Sequence, residues 1–150
     1  MTVLLENHSF QTTHCGQFLD ITDDVREVVT KSGVQNGSVL VYSPHTTCSV
    51  VINESESGFV QDFCRLMDSL VPVDGSYVHD DLEVRTQNLE DDPHDIPNGW
   101  AHCRQSLIGS ASQHIPVKDG EPLLGRWQRV FFLELDRSRD RKVFIQAMGE

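Results

Sequence analysis

A chain of 150 residues is long enough to bury one hydrophobic core without metal or disulfide staples, and too short for two ordinary domains. Its net charge of −11 argues against nucleic acid and anionic membrane as partners, because both are bound chiefly through Lys and Arg. No apolar run approaches the roughly 18 residues of a membrane span. The opening MTVLLENHSF lacks the basic flank and apolar stretch of a secretory signal, so the expected compartment is cytoplasmic. The charge is uneven: residues 1–100 carry −13 and residues 101–150 carry +2, so the basic third suits a small anion.

Hydrophobic periodicity sets out the elements in order. Residues 2–13 and 16–21 read as two short strands meeting at Cys15-Gly16. Thr22 or Asp23 is placed to cap a helix with Val25, Val28 and Val29 on one face, ended by Gly33. Ser38–Ser43 is a buried-strand pattern, and Thr47–Asn53 is a second one beyond Pro44. A helix fits 56–70, with Phe59, Phe63, Leu66, Met67 and Leu70 on one side and Pro72 beyond its end. Residues 74–97 are polar and acidic with little periodicity, as a functional loop is. A short helix follows from Asn98 to Leu107, ended by Gly109. Strands are then expected at 111–117, at Trp127–Leu135 and at Val143–Met148, with a turn at Lys118-Asp119-Gly120. The fold class is α+β: one domain, 1–150, with an antiparallel or mixed sheet carrying a few helices on one side.

Seven histidines are the most informative count. His45 lies between two buried strands, His79 at the start of the acidic loop, and His102 on the short helix after it, whereas His8, His14, His94 and His114 have plainer settings. Imidazole suits zinc, and three protein ligands with one open position is the catalytic zinc arrangement. Asp80, Asp62 and Glu54 are candidate carboxylates to orient such ligands. Spacings of this size fit scattered surface or hydrogen-bonded histidines equally well. Arg104, Arg126 and Arg129 are candidate phosphate partners, and the Gly109–Ser112 stretch offers backbone and hydroxyl donors, Ser110 among them. Trp127 reads as core, and its neighbour Gln128 as a polar group facing the other way. No phosphate-binding or dinucleotide-binding glycine motif is present, nor a G-x-S-x-G elbow. Without a C-x-x-C pair, Cys15, Cys48, Cys64 and Cys103 are expected as free, mostly buried thiols.

Taken together, the segments resemble the YjbQ family, also called the secondary thiamine-phosphate synthase family. The matching residues are His45-Thr46-Thr47-Cys48-Ser49, Asn53-Glu54, Val71-Pro72, Tyr77-Val78-His79-Asp80, Asn98 and Ala101-His102. They continue through Ser106-Leu107-Ile108-Gly109-Ser110, Pro116, Gly120, Leu124–Gln128, Glu134, Arg141 and Gly149-Glu150. The resemblance implies a compact α+β subunit in a homotrimer, with a pocket where His45, His79 and His102 hold a metal such as zinc. It also implies a weak thiamine-phosphate synthase activity, joining a pyrimidine diphosphate to a thiazole phosphate. Arg126 and the Gly99-Trp100 pair depart from the family pattern, which bears on pocket size and anion tolerance.

Three readings follow from the sequence. In the first, the chain is an enzyme in which His45, Glu54, His79, Asp80 and His102 do the chemistry, and Arg104, Ser110, Arg126 and Gln128 hold a small phosphorylated molecule. In the second, the same pocket binds a metal or small anion without turnover. In the third, the histidines are structural.

Overall fold

The computed structural model describes residues 1–89 and 97–150. Among these, eight strands and three α-helices run in the order β1 (Thr2–Gln11), β2 (Phe18–Asp20), α1 (Thr22–Ser32), β3 (Asn36–Tyr42), β4 (Cys48–Glu54), α2 (Ser57–Leu70), α3 (Gly99–Ile108), β5 (Ser112–Lys118), β6 (Glu121–Pro122), β7 (Gln128–Glu134) and β8 (Asp140–Gly149). The expected α+β class holds, but the strands form two sheets rather than one. A five-stranded sheet has the order β1-β8-β3-β5-β6, and a three-stranded sheet the order β2-β7-β4. Every pairing is antiparallel.

The alternation of apolar residues explains the two layers. Val39, Val41, Ile115, Val143 and Ile145 of the larger sheet meet Val50, Val130 and Phe132 of the smaller one in the main core. Phe10 and Phe132 make an edge-to-face contact at 4.8 Å inside it. The opposite face of the smaller sheet supplies Leu133, which packs with Ala101 of α3 and, partly buried, Phe18 of β2 and Phe63 of α2. Helices α2 and α3 therefore cover one side of the smaller sheet, while Val25, Val28 and Val29 of α1 enter the main core. No helix among the described residues is long and apolar enough to cross a membrane.

Helix ends show what local chemistry fixes. Gly33 (φ 72°) and Gly109 (φ 68°) close α1 and α3 in the left-handed conformation, as the sequence led us to expect. At the start of α1, neither Thr22 nor Asp23 caps; Asp20 accepts the Thr22 N–H at 3.0 Å one step earlier. Glu56 caps α2 by accepting the Gly58 and Phe59 N–H groups at 2.6 and 2.7 Å. The buried stripe of α2 is narrower than its apolar pattern: Met67 is buried and Phe59 and Phe63 half-buried, but Leu66 and Leu70 are exposed. Strand β8 begins at Asp140 rather than Val143, because Arg141 points inward and is buried. Among its described residues the loop 74–97 contains one 3-10 turn, Val78–Asp80; His94 lies outside the described residues.

Two of the crossings between the sheets, β3 to β4 and β7 to β8, lie at the same end of the molecule. The loop turn at Val78–Asp80 and the start of α3 meet there too.

Candidate functional site

At that end is a cavity of about 430 Å³. His45, His79 and His102 all line it, so the topology brings together three histidines far apart in sequence. Thr46 and Thr47 come from the β3–β4 crossing, Asn98 from the start of α3, and Asp136, Arg139 and Arg141 from the β7–β8 crossing and the start of β8.

The floor is built first. Glu134 is fully buried and accepts from Arg141 Nε and Nη2, both at 2.7 Å, and from Thr12 Oγ1 at 2.8 Å. It also accepts the Asp136 N–H at 2.9 Å. Burial works against the charge of Arg141, but the Glu134 carboxylate reverses this and holds the guanidinium firmly protonated. Arg141 Nη2 donates in addition to Thr47 Oγ1 at 3.1 Å. A guanidinium has five N–H groups, and these contacts use three of them. The two on Nη1 make no bond to described residues, on a side chain that lines the cavity.

The histidine rim has its own frame. Asp80 Oδ1 accepts the N–H groups of Asn98 and Gly99 at 2.9 and 2.8 Å, capping α3, and lies 3.2 Å from His79 Nδ1. One carboxylate thus joins the loop that carries His79 to the helix that carries His102. Their rings stand 4.5 Å apart between centroids. Gly99 permits the approach: a Cβ there would lie 2.5 Å from Tyr77 Cβ. Burial, reinforced by the charge of neighbouring His79, holds the His102 pKa below its ordinary value. Burial and then Arg141 do the same to His45. Both rings are therefore neutral at pH 7, the form that binds a metal or accepts a proton.

The histidines differ in what they have left to give. With Asp80 at Nδ1, His79 is held with Nε2 available, the carboxylate–histidine arrangement usual for metal ligands. His102 makes no hydrogen bond with described residues through its ring. His45 Nε2 accepts the Lys142 N–H at 3.1 Å, which places the proton of the neutral ring on Nδ1. His79 and His102 therefore fit a divalent cation, whereas His45 is committed to the backbone. No group of three His, Cys, Asp or Glu side chains is arranged for a metal among the described residues.

The other sequence candidates stand elsewhere. Arg104 is buried and clamps Val71 O and Asp68, with Nη1 3.4 Å from Cys15 Sγ. Ser110 donates to Val50 O, and Gln128 accepts the Gly125 N–H in a turn. Arg126 stacks on Trp127, which is 62 % exposed rather than core. Arg129 pairs with Asp20, Asp62 with Arg65 on α2, and Glu54 is exposed at the end of β4. None of these lines the cavity. All four cysteines are free, but only Cys48 is fully buried and Cys103 is exposed. The cavity instead gains Asp136 and Arg139, which motif reading passed over. The run of arginines at 137, 139 and 141, alternating beside a buried strand, was the signal for them.

A family model described as UPF0047 protein YjbQ-like matches residues 6–150. A UPF0047 protein of Archaeoglobus fulgidus is 39% identical over 132 residues, covering 88% of this chain and 91% of that protein. The UPF0047 protein YugU of Bacillus subtilis is 34% identical over 147 residues, covering 97% of this chain and all of YugU. The crystal structure of a hypothetical protein from Aeropyrum pernix K1 superposes with a TM-score of 0.78 at 35% identity, covering 97% of this chain and 99% of that one. The chain belongs to the YjbQ-like UPF0047 family.

Proposed function

We propose that the cavity is the active site of a metal-dependent enzyme that acts on a small phosphorylated molecule. The observation that carries this reading is Arg141, which lines a cavity rimmed by histidines, is fixed by Glu134 through Nε and Nη2, and keeps the two N–H groups of Nη1 unshared among the described residues. A guanidinium already held in place meets phosphate oxygens with little further ordering. Arg139, whose Nε lies 3.0 Å from Asp136, lines the same wall.

His79 and His102 are the residues to hold a divalent ion, zinc by the preference of imidazole. When bound, such an ion polarises phosphate oxygens and eases departure of a diphosphate. The chain's own part is to orient the anion through Arg141 and Arg139, to aim His79 through Asp80, and to offer His45 as a neutral ring. The thiamine-phosphate synthase reaction fits this division of labour: a pyrimidine diphosphate joins a thiazole phosphate and diphosphate leaves. Assembly as a homotrimer is part of the proposal, supported by the outer face of the five-stranded sheet. There Val3, Leu5 and Tyr42 are exposed, and Tyr42 stacks on Phe144. A cytoplasmic setting accords with four free cysteines.

Turnover of the two thiamine precursors at stoichiometric protein tests the reading. It is expected in the native chain and lost in folded His79→Ala and His102→Ala variants; unchanged turnover in both overturns the site. The commitment of His45 to the Lys142 amide favours a second reading, anion binding without turnover. Saturable binding of inorganic phosphate with no turnover of either precursor would select it.

A further inference from the structure

Asn98 occupies the position before α3 where an asparagine side chain ordinarily caps the helix by accepting an N–H two or three residues on. It makes no such bond, because Asp80 has taken the cap: its Oδ1 accepts the N–H groups of Asn98 itself and of Gly99. The amide instead donates from Nδ2 to Asp136 Oδ2 at 3.1 Å. That bond fixes which way the amide faces. Burial works against ionisation of Asp136, but the Asn98 amide, the Arg137 N–H and the charges of Arg137 and Arg139 overcome it and hold the carboxyl below its ordinary value. An ionised carboxylate only accepts, so the nitrogen must face Asp136 and the oxygen must face away from it.

That oxygen has no partner among the described residues. Asn98 is 7 % exposed, its Oδ1 is buried and accepts no hydrogen bond from them, and the residue lines the cavity with His79 and His102. An acceptor left in this state is costly, and native proteins rarely keep one without a use. The α3 cap and the contact with Asp136 are both made without it, and in the same lining Arg139 Nε is the other buried atom without a hydrogen bond among the described residues.

We infer that Asn98 is a specificity-determining residue whose Oδ1 accepts a hydrogen bond from the ligand, so that the pocket selects phosphate esters carrying a hydroxyl or amino donor over those without one. This rests on the proposed phosphate-handling role of the cavity. Arg141 and Arg139 hold the anionic end and Asn98 reads the other. Aliphatic phosphates of equal length but no donor leave the acceptor unpaired and bind less well.

Calorimetric titration of the native protein with glycerol 3-phosphate, propyl phosphate and inorganic phosphate tests this. Glycerol 3-phosphate is expected to bind about tenfold tighter than propyl phosphate, the value of one neutral hydrogen bond. In an Asn98→Ala variant shown to be folded by circular dichroism, the two esters should bind alike. Equal binding of both esters to the native chain overturns the inference and leaves the phosphate site standing. If none of the three binds, both the inference and the phosphate-handling role fall. The native comparison decides the matter even if the variant does not fold. Discrimination that persists undiminished in folded Asn98→Ala also overturns it.

Discussion

The floor and the rim of the cavity are built from the same kinds of residue and are finished to different degrees. On the floor, Glu134 receives hydrogen bonds from Arg141, Thr12 and the Asp136 backbone, so a fully buried charge is surrounded by donors. On the rim, the ring of His102, Nε2 of His79 and Oδ1 of Asn98 stay unmatched among the described residues, as does Nη1 of Arg141 beside them. A buried ion pair needs such complete satisfaction merely to be tolerated. Groups left over once the fold is satisfied are what a ligand finds. The same contrast separates Arg141 from Arg104, whose guanidinium is spent on Val71 O, Asp68 and Cys15.

Breaking the floor should do the most damage. Glu134→Ala strands the buried Arg141 charge and should cost roughly 3–5 kcal/mol, read as a fall in the urea midpoint. If stability holds within about 1 kcal/mol, the floor is not what supports this end of the molecule.

The junction between loop and α3 comes next. In Gly99→Ala the new Cβ meets Tyr77 Cβ, and either the Val78–Asp80 turn or the helix must shift. A loss of about 1–3 kcal/mol is expected by thermal denaturation, together with weaker phosphate binding as His79 moves. Asp80→Ala removes the α3 cap and should cost about 1 kcal/mol. Faster hydrogen exchange at the first turn of α3 would mark the lost cap, and unchanged exchange would contradict the assignment.

The smallest effect concerns acid. Asp136 has a folded pKa below its ordinary 3.8, so it contributes stability that is complete above that value and lost as pH falls through the folded one. Asp136→Asn should therefore lower stability at neutral pH while making the decline below pH 3.8 shallower. A parallel decline in both proteins would show that Asp136 is not held in its charged form.

Much of this was legible in the sequence, and the gaps are informative. Val25, Val28 and Val29 announced α1 because a helix buries residues three and four apart, whatever the rest of the chain does. His45, His79 and His102 were singled out by context and resemblance, and they share the cavity. Arg104, Ser110, Arg126 and Gln128 are candidates by donor chemistry, the last three within stretches that resemble the family, but donor chemistry serves turns and clamps equally well. Only a partner list separates the two uses. Likewise, the division into two sheets depends on β7 leaving one layer and β8 joining the other, and alternation along a strand does not record which neighbour it pairs with. Asp136 and Arg139 sit in a crossing outside any motif, and the alternating arginines at 137, 139 and 141 are their one mark in the sequence.

The most direct test of the account is bound metal in tag-free protein, measured by mass spectrometry in the native chain and in folded His79→Ala and His102→Ala variants. The unmatched rim predicts about one zinc per chain in the native protein, lost in both variants. A native protein without metal, or metal retained in both variants, would contradict it.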